Sequence, residues 1–70
     1  MAVQYYYNYA EIDPDSNMCI QVQSTTLDLT GAPGFVEIPV YDEEYVFKYY
    51  IDGNWYEDAE GTIPWQSSLL

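Results

Sequence analysis

Apolar and polar residues alternate along this chain in short runs, and the period is the two-residue one of β-strands. Tyr5 to Ile12 is aromatic and β-branched enough to predict a first strand. Tyr5, Tyr7 and Tyr9 would share one face, and Tyr6, Ala10 and Ile12 the other. Both faces carry apolar surface, so the pattern leaves open which is buried. Asp13-Pro14-Asp15-Ser16-Asn17 is turn chemistry throughout. Met18 to Ser24 alternates cleanly and predicts Met18, Ile20 and Val22 inward, with Cys19, Gln21 and Gln23 outward. These segments make a first hairpin.

Thr25 to Gly34 reads as a loop, least regular at Thr30-Gly31-Ala32-Pro33-Gly34. Phe35 to Val40 predicts a third strand with Val36, Ile38 and Val40 on one side. Pro39 cannot donate a ladder hydrogen bond, so this strand lies at an edge or is cut short. One helical turn is expected near residues 42–46, with Asp42 as N-cap and Glu43 and Glu44 at the positive end of its dipole. Val46-Phe47-Lys48-Tyr49-Tyr50-Ile51 returns to strand chemistry. Asp52-Gly53 gives the strongest hairpin signal in the chain, leading back through Asn54-Trp55-Tyr56-Glu57. The expected fold is mostly β: one small antiparallel sheet of about five short strands, built from two hairpins. Residues 1–57 form the sheet domain. Residues 58–70 form an irregular tail whose Ile63, Trp65, Leu69 and Leu70 would pack on the sheet or on a partner.

Stability must come from somewhere unusual. Chains of about 60 residues bury only about 60% of their unfolded surface, and this one has 70 residues, one cysteine and no histidine. An internal disulfide and a histidine-based metal site are thereby excluded. Aromatic residues make up 19% of the chain, as nine Tyr, two Trp and two Phe, and supply the packing instead. Twelve acids oppose Lys48 alone, for a net charge of −11. A chain so acidic lacks the basic footprint needed to bind DNA, RNA or an anionic membrane directly, and attracts basic partners. Met1-Ala2-Val3-Gln4-Tyr5 has no signal-peptide character, and the lone cysteine fits a reducing compartment, so a cytoplasmic protein is expected.

Catalytic and metal-binding readings fare poorly. Asp13-x-Asp15-x-Asn17 opens like a calcium loop, but Met18 and Ser24 stand where Gly and Glu are required, so a turn is expected. Glu43-Glu44 and Glu57-Asp58-x-Glu60 pair carboxylates, yet glycosidase chemistry needs a deep cleft to shift one pKa. Cys19 has no histidine to activate it. Lys48, among tyrosines, is better placed to lay its stem over rings and pair with an acid. No catalytic residue, metal or cofactor is expected.

Two signals remain. Eight of the twelve acids fall between Glu37 and Glu60, namely Glu37, Asp42, Glu43, Glu44, Asp52, Glu57, Asp58 and Glu60. They make a candidate acidic patch. A nucleic-acid mimic needs a denser array than one strand provides: alternate residues repeat every ~6.8 Å, against one phosphate charge per ~3.4 Å of a DNA strand. Solubility and protection of sheet edges is the simpler reading. The rings are the second signal, since more are present than one thin core can hide. Tyr49, Tyr50, Trp55 and Tyr56 on the second hairpin, with Tyr5 and Tyr7 on the first, are the candidate interface residues.

Tyr9-Ala10-Glu11-Ile12-Asp13, Cys19-Ile20-Gln21-Val22, Ile38-Pro39 with Tyr41-Asp42-Glu43, and Lys48-Tyr49-Tyr50-Ile51-Asp52-Gly53-Asn54-Trp55-Tyr56-Glu57 together resemble a group of very small proteins encoded by bacteriophages and prophages. Their genes often sit near tail-fibre or receptor-binding genes. The likeness spans residues 5–57 and leaves the tail unaccounted for. It implies a non-enzymatic accessory role in the cytoplasm of an infected bacterium or within the virion, acting by protein–protein binding in tail or host-recognition structures. An acidic decoy that inhibits a host defence protein, in the manner of an anti-CRISPR, is the alternative. A protein partner with a basic surface suits both, and homo-oligomers formed by pairing sheet edges could accompany either.

Overall fold

The structure, a computed structural model, describes residues 6–70; Tyr5 and its place on the first strand lie outside them. It is mostly β, with five short strands and one 3-10 turn. The strands are β1 (Tyr7–Ile12), β2 (Cys19–Thr25), β3 (Phe35–Glu37), β4 (Tyr49–Ile51) and β5 (Asn54–Tyr56). Both hairpins form, as β1–β2 and β4–β5, and every pairing is antiparallel.

One sheet was expected and two are found: a three-stranded sheet ordered β2-β1-β3 and the β4–β5 ribbon. Where they meet, Met18 opposes Tyr49 in an isolated bridge framed by Cys19 N–H→Lys48 C=O and Tyr50 N–H→Asn17 C=O, and Trp55 of β5 packs against the core beside Ala10 and Cys19. The break has a local cause on each side. Asn17 (φ 64°) ends the turn before β2, and Phe47 (φ 75°) swings the chain aside just before β4, so neither strand can extend the pairing. Residues 46–48, read as strand chemistry, are consumed by this swing. β3 is likewise short: Pro39 ends it, and only Ile38 N–H→Asn8 C=O (2.9 Å) carries pairing beyond Glu37.

The inward–outward assignment of β2 also needs correction. Glu11 pairs with Gln21 but Ile12 pairs with Cys19, so Ile20 is the extra residue of a β-bulge. The bulge flips the alternation at its N-terminal end. Cys19 is fully buried beside Ala10, whereas Ile20 is 44% exposed.

β1 is covered on both faces. Ala10 looks into the main core with Cys19, Ile38 and Tyr45, flanked by Ile12, Val22, Val40, Trp55 and Trp65. Tyr9 is 1% exposed on the opposite face. It stacks on Tyr7, meets Phe35 edge-on, and its hydroxyl accepts from Leu29 N–H (2.8 Å), so the 26–34 loop covers it.

The 3-10 turn Glu43–Tyr45 is capped as the sequence predicts, with Asp42 accepting from Glu44 N–H at 2.9 Å. It delivers Tyr45 edge-on to Trp55 and Trp65, each 4.8 Å away between ring centres. Asp52-Gly53, both at positive φ, forms the tight turn between β4 and β5.

Residues 58–70 return along β5. Asp58 accepts from Thr62 and Ile63 N–H at 2.9 Å each, and Trp65 N–H donates to Trp55 C=O. Pro64 opposes Tyr56 where its missing N–H would face outward, a position proline tolerates. Ser67 Oγ–H donates to buried Asp42, tying the tail to the 3-10 turn.

Burial pushes the Cys19 thiol up to about 11, and burial beside Asp42 raises Tyr45 as well. A folded pKa above the unfolded one stabilises the fold at low pH and is lost as pH rises. Stability is therefore expected to fall from about pH 9 to 11. Urea unfolding of Cys19→Ala should show lower stability at pH 7 but a shallower decline across that window; parallel curves would contradict the assignment.

Candidate functional site

Of the rings named from the sequence, Trp55 packs against the main core. Tyr7, Tyr49, Tyr50, Trp55 and Tyr56 are all half-buried. Trp55 packs against Tyr45, Tyr50 and Trp65. The most exposed rings among residues 6–70 are Phe47 (69%), Tyr6 (62%) and Tyr41 (45%).

Phe47 and Tyr41 belong to one feature. Together with Ile20, Gln21, Val22, Glu43 and Val46 they line an open groove of about 440 Å³. Each apolar member is there for a reason. The β-bulge turns Ile20 outward, Val22 rises from the core, and Val46 follows the 3-10 turn. Phe47 holds positive φ, which costs a residue with a Cβ roughly 1–2 kcal/mol. Three backbone bonds around it fix the swing: Phe47 N–H→Cys19 C=O and Cys19 N–H→Lys48 C=O, both 2.8 Å, and Lys48 N–H→Tyr45 C=O at 2.9 Å. An exposed ring on strained backbone does little for folding. Backbone strain of this kind clusters at clamps, switches and binding segments.

The acids named from the sequence divide into two groups. Asp42 is buried, accepting from Glu44 N–H and from Ser67. Asp58 is half-buried, and hydrogen bonds from the Thr62 side chain, Ile63 N–H and Thr62 N–H lower its pKa. These two hold the tail. Glu37, Glu43, Glu44, Asp52, Glu57 and Glu60 are exposed and scattered over β3, the 3-10 turn, the β4–β5 turn and the start of the tail. Glu43 alone lines the groove. Lys48, the single basic side chain, lies over Trp65 with its Nζ 5.2 Å from the ring centre.

Cys19 is buried, with its thiol donating to Gln21 C=O at 3.4 Å. Asp13 of the calcium-like run accepts from Asp15 N–H at 2.9 Å in a plain turn. No three His, Cys, Asp or Glu among the described residues converge as metal ligands. Nor is any helix among them long and apolar enough to cross a membrane.

Comparison of the chain with protein families, characterised proteins and solved structures yields no match. The groove therefore stands on its own geometry. Its signal was present in the sequence only as an unremarkable strand: the exposed Ile20 needs the bulge, and the exposed Phe47 needs the swing.

Phe47→Gly should remove the ring and relieve the positive φ together. Its stability in urea is expected to equal the native value or exceed it by up to about 1 kcal/mol. A loss above about 1 kcal/mol would show that the ring serves the fold and not the surface.

Proposed function

We propose that this chain is a non-enzymatic phage or prophage accessory protein that works by protein–protein binding, in tail or host-recognition structures. The observation that carries the binding part is the groove, where the exposed, strained Phe47 stands with Tyr41 and Ile20. Apolar rings grouped in a concavity are what binding hot spots are made of. The phage part rests on the sequence resemblance over residues 5–57. The charge bears on the partner: at −11, the chain attracts a protein with a basic surface.

The acidic decoy for a host defence protein is the second reading, favoured by the six exposed acids of the patch. Asp42 and Asp58 contribute less to it, because both are spent on the fold. The two readings separate by salt. A decoy that replaces six to ten phosphate contacts would lose about 10³-fold or more in affinity between 50 and 200 mM salt, whereas an aromatic interface with a few rim charges should lose no more than about tenfold.

Tagged chain should be recovered in phage or tail assemblies by native mass spectrometry, and the recovered complex should survive the higher salt. Replacing Tyr41 by Ala and Phe47 by Gly together is expected to abolish recovery. Absence from every assembly, or a complex that dissolves with salt and ignores both substitutions, would contradict the proposal.

A further inference from the structure

The backbone beside the groove carries its own information. On β1, Asn8 C=O accepts from Ile38 N–H (2.9 Å), and Ile12 N–H donates to Gly34 C=O (2.7 Å). Even-numbered residues of β1 therefore point their polar groups toward β3, and Tyr7, Tyr9 and Glu11 point theirs toward β2. Their partners are Thr25, Gln23 and Gln21. Between those partners, Val22 and Ser24 aim N–H and C=O away from β1, along the outer edge of the sheet.

That edge is occupied over only part of its length. At its beginning, the chain's own 47–50 segment pairs with it, through Phe47 N–H→Cys19 C=O, Cys19 N–H→Lys48 C=O and Tyr50 N–H→Asn17 C=O. Pairing stops where Phe47 swings away at φ 75°. Past that point no described residue pairs with Val22 or Ser24 from outside, and the 440 Å³ groove opens against Ile20, Gln21 and Val22. A vacant strand slot thus continues an occupied one, with apolar walls along it.

We infer that this edge accepts an extended segment of the partner as an added strand, alternating apolar with basic residues. Backbone bonds to Val22 and Ser24 supply the pairing, as in other strand-addition complexes. Apolar side chains of the segment enter the groove against Val22, Val46 and Phe47. Its Lys or Arg residues meet a chain of net charge −11, with Glu43 at the groove and Glu11 one strand inward beside Gln21. A second copy of this chain is the wrong occupant, since it would set one −11 surface against another. This inference rests on the protein-binding reading above and gives that reading a partner chemistry.

The test titrates ¹⁵N-labelled chain with the blocked peptide acetyl-(Lys-Val)₄-Lys-amide and with its Glu-for-Lys counterpart. The Lys peptide should shift the Val22 and Ser24 amides most and slow their exchange, with the Glu peptide at least about tenfold weaker. Ser24→Pro removes an outward N–H without taking a bond from β1, and should weaken binding about tenfold or more. Methylating alternate backbone nitrogens of the peptide gives the same readout on unaltered protein. Shifts centred on Trp55 and Trp65, equal affinity for both peptides, indifference to Ser24→Pro and to methylation, or a dimer of the chain that protects Val22 and Ser24 would each overturn the inference. If the peptide fails while the chain still enters an assembly through its rings, this inference falls and the proposed function stands. If the peptide docks at the edge but every assembly lacks the chain, the reverse holds.

Discussion

Edge-to-face contact among Tyr45, Trp55 and Trp65 is the interaction on which the rest of the structure depends. Each ring comes from a different part of the chain: the 3-10 turn, β5 and the returning tail. None of these parts pairs with more than one or two strands, and backbone pairing between the two sheets is confined to the short stretch around Met18 and Tyr49. With one cysteine and no histidine, covalent and histidine–metal staples are absent. The rings take their place, pressing against Cys19, Ala10 and Ile38. Aromatic pairs of this geometry contribute about 0.5–1.5 kcal/mol each beyond the area they bury, a large share of the stability available to so small a domain. The Asp42–Ser67 hydrogen bond and the Asp58 cap then keep Trp65 where the cluster needs it.

Closing the core in this way shapes the surface. Between Tyr45, which meets the two tryptophans, and β4 the chain turns sharply, with Phe47 at positive φ and its ring in solvent. The bulge that lets Cys19 fill the core displaces Ile20 to the outside of the same edge. Core and groove are two sides of one backbone path. The strain at Phe47 and the unpaired edge beside it are local costs, tolerated because the ring cluster over-determines the path. Edges of this kind are usually blunted by charge or by a covering loop. Here the net charge of −11 discourages self-association along the edge.

Much of the architecture was legible in the residues. Asp52-Gly53 fixed one hairpin, and Asp13 to Asn17 the other, because few residues adopt those backbone angles and these do. Asp42 declared the helical turn through its side-chain cap. The bulge was not legible. A period of two looks the same whether or not one residue is inserted, so Cys19 and Ile20 exchanged faces unseen. The split into two sheets was hidden for a similar reason, since Val46 to Ile51 has strand composition throughout and only the tertiary path forces Phe47 aside. For the surface, the rings crowded on the second hairpin signalled packing as strongly as contact. Trp55 is a core residue for that reason, and the exposed Tyr41 and Phe47 sit where the local sequence gives no emphasis.

The most direct measurement is residue-resolved hydrogen exchange across urea on Trp65→Ala, a substitution outside every strand. If the ring cluster holds the two sheets together, the variant loses about 3 kcal/mol or more, and amides of β1, β2 and β3 lose protection together with those of β4 and β5. Intact protection in the β2-β1-β3 sheet, with loss confined to the ribbon and tail, would contradict the account.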